Sequence, residues 1–244
     1  MSKAKKIIHI GRTDKFIPPF IDFVKKNFDS DNHEYWLFGG MAEKQLPGDK
    51  NIHLAKKNSL LERMSYLRII YSMHKAEKVI FHGLYDSSMI RILFFMPWLL
   101  KKCYWVLWGH DLYTYKTSKR NWRWRKREFF RRPVIRNMGY ITTTVPGDYD
   151  YAVAWYGTTA KYIPNLMYMS HVNRDADVVK CAKKKSDEIC IQIGNSADIS
   201  NNHLEVIERL ENYMTPNILV YCPLSYGGDS GYRDKVIEYG LKKL

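Results

Sequence analysis

Short apolar runs alternate with longer amphipathic segments over the first 160 residues of the chain. Each run ends in glycine or polar residues, and the segment after it repeats its apolar positions at helical spacing. Nearly continuous apolar runs are typical of strands covered on both faces, and their alternation with helices indicates a parallel sheet. The predicted strands are 6–11, 34–40, 78–83, 103–109 and 139–144, and the predicted helices are 16–28, 59–75, 87–100, 116–138 and 147–156.

A second, smaller α/β unit is predicted near the end of the sequence. We expect a first domain at 1–172, a polar linker at 173–188 and a partial domain at 189–244. Because two strands are too few for an independent sheet of this type, they either extend the first sheet or belong to an incomplete second domain. Asn202 and Glu205 have the spacing of a capping box. The predicted strands of this unit are 189–194 and 217–223, and its predicted helices are 203–214 and 232–244.

The composition indicates a globular protein with an anionic partner. Of the 244 residues, 45% are hydrophobic and 14% aromatic, which excludes a disordered chain. The formal charge is +14, so nucleic acid, a phosphate-bearing substrate or an anionic membrane surface could bind. The four cysteines show no zinc-site spacing. The uninterrupted apolar run at 92–100 is far shorter than the roughly 20 residues of a spanning helix, so we expect a cytoplasmic protein that does not span the membrane.

Polar residues that follow the predicted strands are the candidates for chemistry, because ligands bind outside the carboxyl ends of an open parallel sheet. His82 and Asp111 could act in proton transfer, since imidazole titrates near neutral pH and a carboxylate can accept a proton or orient a base. Alternatively, His82 is a polar residue at a strand end and Asp111 caps a turn. The other candidates at this edge are Gly11, Asp14, Gly83, Gly109 and His110.

Two further motifs lie at predicted helix starts. Gly194, Asn195 and Ser196 join a strand to a helix, and free N–H groups at a helix N-terminus attract anions. No Walker or G-x-G-x-x-G pattern accompanies them. Asp148 and Asp150 match a metal-binding D-x-D, but their place at a helix start favours capping, and we predict no metal site.

Residues 116–136 carry ten Lys or Arg and one acid, a net +9 interleaved with Trp and Phe. This composition fits an interfacial segment on anionic lipid, and it also fits nucleic acid with base stacking. Because the patterns of common nucleic-acid-binding domains are absent, we favour a membrane surface. The predicted membrane patch comprises Arg120, Trp122, Arg123, Trp124, Arg125, Lys126 and Arg127.

Several short segments resemble glycosyltransferase family 56, the TDP-4-acetamido-4,6-dideoxygalactose:lipid II transferases of enterobacterial common antigen synthesis. The most specific is GNSADISNNH at 194–203, followed by WGHDLY at 108–113. The others are IIHIGRTD near the start, FHGLYD at 81–86, GDY at 147–149 and CPLSY at 222–226. The resemblance runs through the whole chain in order, as islands.

This resemblance implies a GT-B-like fold, with a Rossmann-like N-terminal domain and a second, incomplete Rossmann-like domain, and no obligatory metal. The N-terminal half would hold an undecaprenyl-diphosphate-linked saccharide at the cytoplasmic face of the bacterial inner membrane, as a peripheral protein. The C-terminal half would hold the TDP-sugar. His82, Gly109 and Asp111 would face the cleft, with Asp111 or His82 as the base. The donor would be held by Gly194, Asn195, Ser196 and Asp198.

Three alternatives remain open from the sequence. A GT-B transferase could use another nucleotide sugar in capsule or O-antigen synthesis, and a membrane-peripheral protein could bind without catalysis. A nucleic-acid-binding module is the least favoured. Family members continue past the position of Leu244, so we expect an incomplete donor domain and reduced activity of this chain alone.

Overall fold

The computed structural model describes residues 6–39, 46, 48–55, 60–165, 168, 187–225, 227 and 230–244. The chain divides into two compact units, Met1–Val172 and Asn173–Leu244. The predicted linker at 173–188 lies outside the described residues except for its last two positions, and so does the final tyrosine of the CPLSY segment. No helix of the described part is long and apolar enough to cross a bilayer.

Unit 1 is built on a parallel sheet with the strand order β3-β2-β1-β4-β5-β6-β7 within the described residues. Every neighbouring pair is parallel, from Tyr35 opposite Ile52 at one side to Tyr140 opposite Lys161 at the other. This doubly wound order agrees with the predicted α/β class. The strands are β1 (Ile7–Arg12), β2 (His33–Phe38), β3 (Ile52–Ala55), β4 (Lys78–His82), β5 (Cys103–Val106), β6 (Tyr140–Thr143) and β7 (Lys161–Pro164).

The helices of unit 1 differ from the predicted ones mainly at their ends. The predicted helix 87–100 stops at Phe95, because Pro97 lacks the N–H that a continuing helix requires, and a 3-10 turn follows at Pro97–Lys102. The predicted helix 116–138 is two helices, and Asn121 caps the second by accepting a hydrogen bond from the Trp124 amide. The helices are α1 (Ile17–Asn27), α2 (Leu60–Lys75), α3 (Ser87–Phe95), α4 (His110–Thr117), α5 (Trp122–Arg136) and α6 (Pro146–Tyr156).

The two faces of the sheet bury separate apolar clusters. Helix α1 covers one face, where Ile17 and Ile21 pack with Tyr35 and Leu37. The larger cluster receives side chains from α2 to α6 and is centred on the fully buried Trp105. Because successive strand residues point to opposite faces, Ile8 and Ile10 enter the larger cluster while the residue between them faces α1. A buried aromatic side chain such as Trp105 contributes a large part of the stabilisation of a core.

The strand order reverses between β1 and β4, since the chain passes outward from β1 in one direction and from β4 in the other. At such a switch point the following loops diverge to opposite faces and leave a crevice at the carboxyl edge of the sheet. The loops after β1, β4 and β5 meet there. The fold therefore brings the predicted site segments 11–14, 82–83 and 109–111 to one edge.

Unit 2 contains two parallel strands, β8 (Ile189–Gln192) and β9 (Ile218–Tyr221), with helices α7 (His203–Glu211) and α8 (Ser230–Lys243). Its small core joins Ile193, Ile207 and Val236. The predicted capping box is wrong: Asn202 adopts a left-handed conformation with φ 52° and its side chain makes no capping bond. Asp198 instead caps the 3-10 turn that precedes α7. That tight turn leaves the Asn202 backbone in a geometry unsuited to an N-cap side chain.

Gly139 stands where unit 1 cannot accept a side chain, because an added Cβ would lie 2.4 Å from the Lys101 carbonyl oxygen. We expect Gly139→Ala to lower the free energy of unfolding by about 1–3 kcal/mol, as overpacking against rigid backbone does. In Gly147→Ala, the matched control, the added Cβ meets nothing within 4 Å on helix α6. That variant should be neutral or gain up to about 1 kcal/mol.

Urea unfolding followed by tryptophan fluorescence measures this difference. All seven tryptophans belong to unit 1, so the signal reports that unit alone. Equal midpoints for the two variants would contradict the packing described around Gly139.

Candidate active site

A narrow cleft opens at the switch point, lined by Gly11, Arg12, Gly83, Tyr85 and Asp86 among others. Gly83 has φ +80°, and an added Cβ would lie 2.3 Å from the Tyr85 ring, so only glycine fits this turn. A Cβ at Gly11 would meet the His82 Cβ at 2.9 Å. These glycines allow the β1 and β4 loops to approach each other.

Asp111 joins the two loops on one side of the cleft. Its Oδ2 accepts hydrogen bonds from the Leu84 amide at 3.0 Å and the Trp105 indole at 2.6 Å, and its Oδ1 accepts from the Trp108 amide at 3.1 Å. The side chain is 1% exposed. Burial raises the pKa of this carboxyl, which the Arg131 guanidinium and the three N–H donors oppose. Every one of these donors is internal to the protein, so the carboxylate organises the loops.

Arg131 completes the same arrangement from helix α5. Its guanidinium donates to the Leu84 carbonyl at 2.9 Å and to the Asp111 carbonyl, and it lies 5.8 Å from the Trp105 ring. Arg131 is 3% exposed. The sequence interpretation counted it among the surface cations. Its spacing from Val134 and Ile135 on the helix was the available signal, because these three share the buried face.

Three histidines form a continuous hydrogen-bonded series, which we name the histidine file: His33, His9 and His82. His33 Nδ1 lies 2.9 Å from His9 Nε2, and His9 Nδ1 lies 3.0 Å from His82 Nε2. His82 Nδ1 is then 2.5 Å from the hydroxyl of Tyr168, which also accepts from the Trp108 indole at 3.0 Å. The file runs beneath α1 from the amino end of β2 to the carboxyl edge of β4.

Burial keeps this file neutral. It lowers the pKa of His82 to about 3 and that of His9 well below its ordinary value, with further lowering of the latter by its two histidine neighbours. The pKa of the half-buried His33 is also lowered by burial, while Asp29 opposes the shift. Sequence reasoning selected His82 but missed the other two. The sequence does not show how β1 and β2 pair, and His9 and His33 come together only through that pairing.

The remaining predicted residues of this edge surround the cleft mouth. Gly109 has φ +83° and precedes α4, where His110 is exposed and its ring lies 6.4 Å from that of Tyr85. Asp14 lies at the start of α1, and its carbonyl accepts from the Ile17 amide at 3.0 Å. The roles of His82 and Asp111 as bases, and of these residues in acceptor binding, stay predictions.

The predicted D-x-D at Asp148 does not cap its helix. Asp148 is buried in the first turn of α6, where its carboxylate accepts a hydrogen bond from the Tyr113 hydroxyl, and the N-cap position Val145 carries no side-chain cap. Among the described residues, no group of three His, Cys, Asp or Glu side chains could hold a metal ion.

A cationic groove of about 250 Å³ lies between α3 and α5. Its walls carry Arg91, Arg123, Lys126 and Arg127, together with apolar surface from Trp122 and Phe130. Helix α3 follows β4 at the carboxyl edge of the sheet, and Arg131 of α5 reaches the Leu84 carbonyl at the same edge. The groove therefore joins a concentrated positive charge to apolar walls at the functional edge.

Exposed aromatic rings continue from this groove along both helices. Trp122, Phe95 and Phe129 are 67%, 66% and 64% exposed. Phe94 lies 5.5 Å from the Phe129 ring and 5.1 Å from the Phe130 ring, so aromatic side chains of α3 adjoin those of the predicted segment on α5.

Two members of the predicted membrane patch face partly inward. Trp124 is half-buried with the Arg120 guanidinium 4.8 Å from its ring, and Arg127 donates to the Thr114 carbonyl at 3.0 Å. Arg125 and Lys126 are exposed.

In unit 2, the loop between β8 and α7 carries the predicted donor residues. Gly194 has φ +66°, Asn195 and Asp198 are exposed, and Ser196 is buried, where the Asn201 amide donates to its hydroxyl at 3.1 Å. His203 is fully buried at the start of α7, and within the part of the chain that the structure describes its Nε2 has no hydrogen-bond partner. An added Cβ on Gly194 would lie 2.6 Å from that Nε2, so the imidazole supports the loop directly.

Comparison with known proteins adds a family and a fold. A family model described as 4-alpha-L-fucosyltransferase, glycosyl transferase group 56, matches residues 41–243. The sucrose-phosphate synthase of Thermosynechococcus elongatus superposes with TM-score 0.58 and 11% identity, over 97% of this chain and 68% of that one. The UDP-GlcNAc 2-epimerase of Neisseria meningitidis, bound to UDP-GlcNAc, superposes with TM-score 0.51 and 15% identity, over 98% of this chain and 70% of that one. These likenesses confirm the GT-B-like, Rossmann-like α/β fold.

The buried file predicts an acid-sensitive unit 1. Because the folded pKa of His82 is about 3 and the unfolded value is about 6.5, the unfolded chain binds more protons between these pH values. Stability from this group is therefore complete above pH 6.5 and is lost as pH falls, by about 2 kcal/mol at pH 5. His82→Gln should remove that part of the pH dependence.

Urea unfolding at pH 8 and pH 5 measures the effect through tryptophan fluorescence. Phe20→Leu is the matched control, since this ring packs 5.0 Å from His82 but does not titrate. The control should lower stability equally at both pH values. If the pH dependence of His82→Gln equals that of the wild type, the file is protonated in the folded protein.

Proposed function

The chain belongs to glycosyltransferase family 56 and is a glycosyltransferase, and from this we propose that it moves a deoxyamino sugar from a TDP-sugar to an undecaprenyl-diphosphate-linked saccharide at a membrane surface. The observation that carries the proposal is the cationic groove with its exposed aromatic rings, placed beside the switch-point cleft of unit 1. A water-soluble acceptor would need no such apolar border.

We assign the acceptor to unit 1. The diphosphate of a polyprenyl carrier bears several negative charges, and the guanidinium groups of Arg91 and Arg123 with the Lys126 ammonium offer matching donors on one groove. The saccharide beyond the diphosphate would then reach the cleft, where Tyr85 and Trp108 present aromatic faces, their rings 6.1 Å apart.

The donor is assigned to unit 2. The β8–α7 loop follows a parallel strand and leads into a helix of nine residues, an arrangement that favours the diphosphate of a nucleotide sugar. The Nε2 of the buried His203, which no described residue hydrogen-bonds, adds a polar group behind the loop. No metal or cofactor is proposed for this site.

We propose a peripheral position on the cytoplasmic face of the bacterial inner membrane. Trp and Phe rings with neighbouring Arg and Lys are the composition of an interfacial surface on anionic lipid. The alternatives are a transferase of another nucleotide sugar in capsule or O-antigen synthesis, which the same groove would serve, and a membrane-peripheral binding protein without catalysis. Titration with four nucleotides distinguishes the possible donors. Measured sugar transfer would exclude a binding protein without catalysis.

The donor assignment predicts selective binding of TDP. Calorimetric titration with TDP, UDP, GDP and CDP should give the tightest binding with TDP, and Asn195→Asp should weaken it about tenfold, because the new carboxylate repels phosphate at the loop. Asn212→Asp, at the other end of α7, is the matched control and should bind as the wild type does. If another nucleotide binds most tightly, the donor is a sugar of that nucleotide. If the two variants bind TDP with equal affinity, the donor site does not lie in this loop.

The membrane assignment predicts that charge at the groove drives binding to vesicles. Replacing the groove residues Arg91, Arg123 and Lys126, together with the exposed Arg125 next to them on α5, with Ser should weaken partition into anionic vesicles by up to about 4 kcal/mol, at about 1 kcal/mol per charge. Arg127 is kept because its bond to the Thr114 carbonyl supports the fold. The control replaces the exposed cations Arg68, Lys78, Lys101 and Lys161 with Ser, which changes the net charge equally.

Sedimentation with vesicles of phosphatidylglycerol and phosphatidylcholine measures both variants. Equal losses would mean that net charge alone drives binding, and an unchanged partition coefficient of the groove variant would exclude this surface. A polyanionic RNA that competes only with the wild type would favour nucleic acid instead.

A further inference from the structure

The histidine file ends at a hydroxyl that still has one hydrogen-bonding position to offer. A tyrosine hydroxyl has one proton and two acceptor positions. The Trp108 indole uses one position of Tyr168, and His82 Nδ1 uses a second, either as donor or as acceptor. No other residue in the described part of the chain takes the third position, which we assign to another molecule, and Tyr168 lies at the carboxyl edge of the sheet, where the acceptor is proposed to bind.

The file reaches two different surroundings. At one end, the hydroxyl of Tyr168 lies beside Phe16 and Trp108, with ring distances of 5.8 and 5.5 Å. At the other end, His33 is half-buried, and Asp29 is the charged group that acts on it. Between these ends, His9 and His82 are 1% and 3% exposed. Water therefore has little direct access to the middle of the file.

Each imidazole of the file uses both ring nitrogens along it, apart from the outer nitrogen of His33. A neutral imidazole has one donor and one acceptor nitrogen, so the series can exist in two polarities, with all protons directed toward His33 or all toward Tyr168. Moving one proton in at one end and one out at the other converts one polarity into the other.

We propose that the histidine file and the Tyr168 hydroxyl form a proton relay that removes the proton of the acceptor hydroxyl during glycosyl transfer. This inference rests on the proposed function of unit 1. Tyr168 is the group that touches the acceptor, and the three histidines act through it. His82, predicted from the sequence to be a base, thereby accepts a proton from Tyr168 and not directly from the acceptor.

The step balances in atoms and charge. The acceptor O–H bond breaks as its oxygen bonds to the anomeric carbon, and the bond from that carbon to the nucleoside diphosphate oxygen breaks with its electron pair. The acceptor proton passes to the Tyr168 oxygen, whose own proton passes to His82 Nδ1. The Nε2 protons of His82 and then His9 move along the file, and His33 releases one from its outer nitrogen to water. The reverse series of transfers, which ends with release at the emptied acceptor site, restores the first polarity.

His9 is the position that tests the relay, because both of its ring nitrogens bond to histidines of the file and its side chain is buried. His9→Phe keeps an aromatic ring of similar shape but cannot move a proton, and His9→Ala opens a space that added imidazole can fill. Tyr35→Phe is the matched control: the Tyr35 ring stacks on His9 at 4.7 Å, and its hydroxyl has no hydrogen-bond partner among the described residues.

With the full chain and the donor and acceptor pair that the wild type uses, we expect kcat of His9→Phe to fall at least tenfold with little change in KM. Millimolar imidazole should restore a part of kcat in His9→Ala but not in His9→Phe, and Tyr35→Phe should stay within twofold of the wild type. Wild-type kcat in His9→Phe would overturn the relay, because packing alone would then suffice.

A second readout does not need transfer activity. Exchange of the buried His82 ring N–H with deuterated water, followed by NMR in the folded chain, should be at least tenfold slower in His9→Phe than in the wild type. A purely structural role predicts the opposite, since looser packing admits water and accelerates exchange. Absence of transfer by the wild type with any pair would overturn the proposed function, while the exchange rates would still decide the relay.

Discussion

The buried carboxylate of Asp111 determines the shape of the functional edge of unit 1. It satisfies two backbone amides and an indole at once, from the loop after β4, the loop after β5 and strand β5 itself. Arg131 reaches the same place from α5 and donates to the Leu84 carbonyl in the loop after β4 and to the Asp111 carbonyl in the first turn of α4. A buried carboxylate and a buried guanidinium would each cost several kcal/mol alone, so together they hold the loops in one arrangement. The cleft, the start of α4 and the position of Trp108 all depend on it.

Two kinds of polar interior therefore coexist in unit 1. On the larger face, full charges are buried and matched by fixed donors, which gives rigidity. On the face beneath α1, the histidine file is neutral and its hydrogen bonds can reverse direction without moving heavy atoms. The first arrangement fixes where the loops lie, and the second leaves a path along which protons can redistribute. The two meet at Trp108, whose amide binds Asp111 and whose indole binds Tyr168.

The sequence predicted the parallel sheet and the edge where its loops meet, because continuous apolar runs that end in glycine are typical of buried parallel strands. It missed β3 and β7, since Ile52–Ala55 and Lys161–Pro164 are short and mix polar with apolar residues. It selected Asp111 and His82 by place but could not show their distant partners: Arg131 is 20 residues from Asp111, and Tyr168 is 86 residues from His82. The α3 half of the aromatic surface could not be predicted either, since the sequence does not show that Phe94 lies beside Phe129 of α5.

The concentration of cations on α4, α5 and the segment between them gives unit 1 a strongly uneven electric field. Of a formal charge of +14 on the whole chain, +9 comes from residues 116–136. A body with such an uneven field turns in solution before it touches a charged surface, so that its positive side arrives first. The groove on α3 and α5 would thus be presented to phosphate groups during approach, and productive encounters would become more frequent at low ionic strength without any gain in contact area.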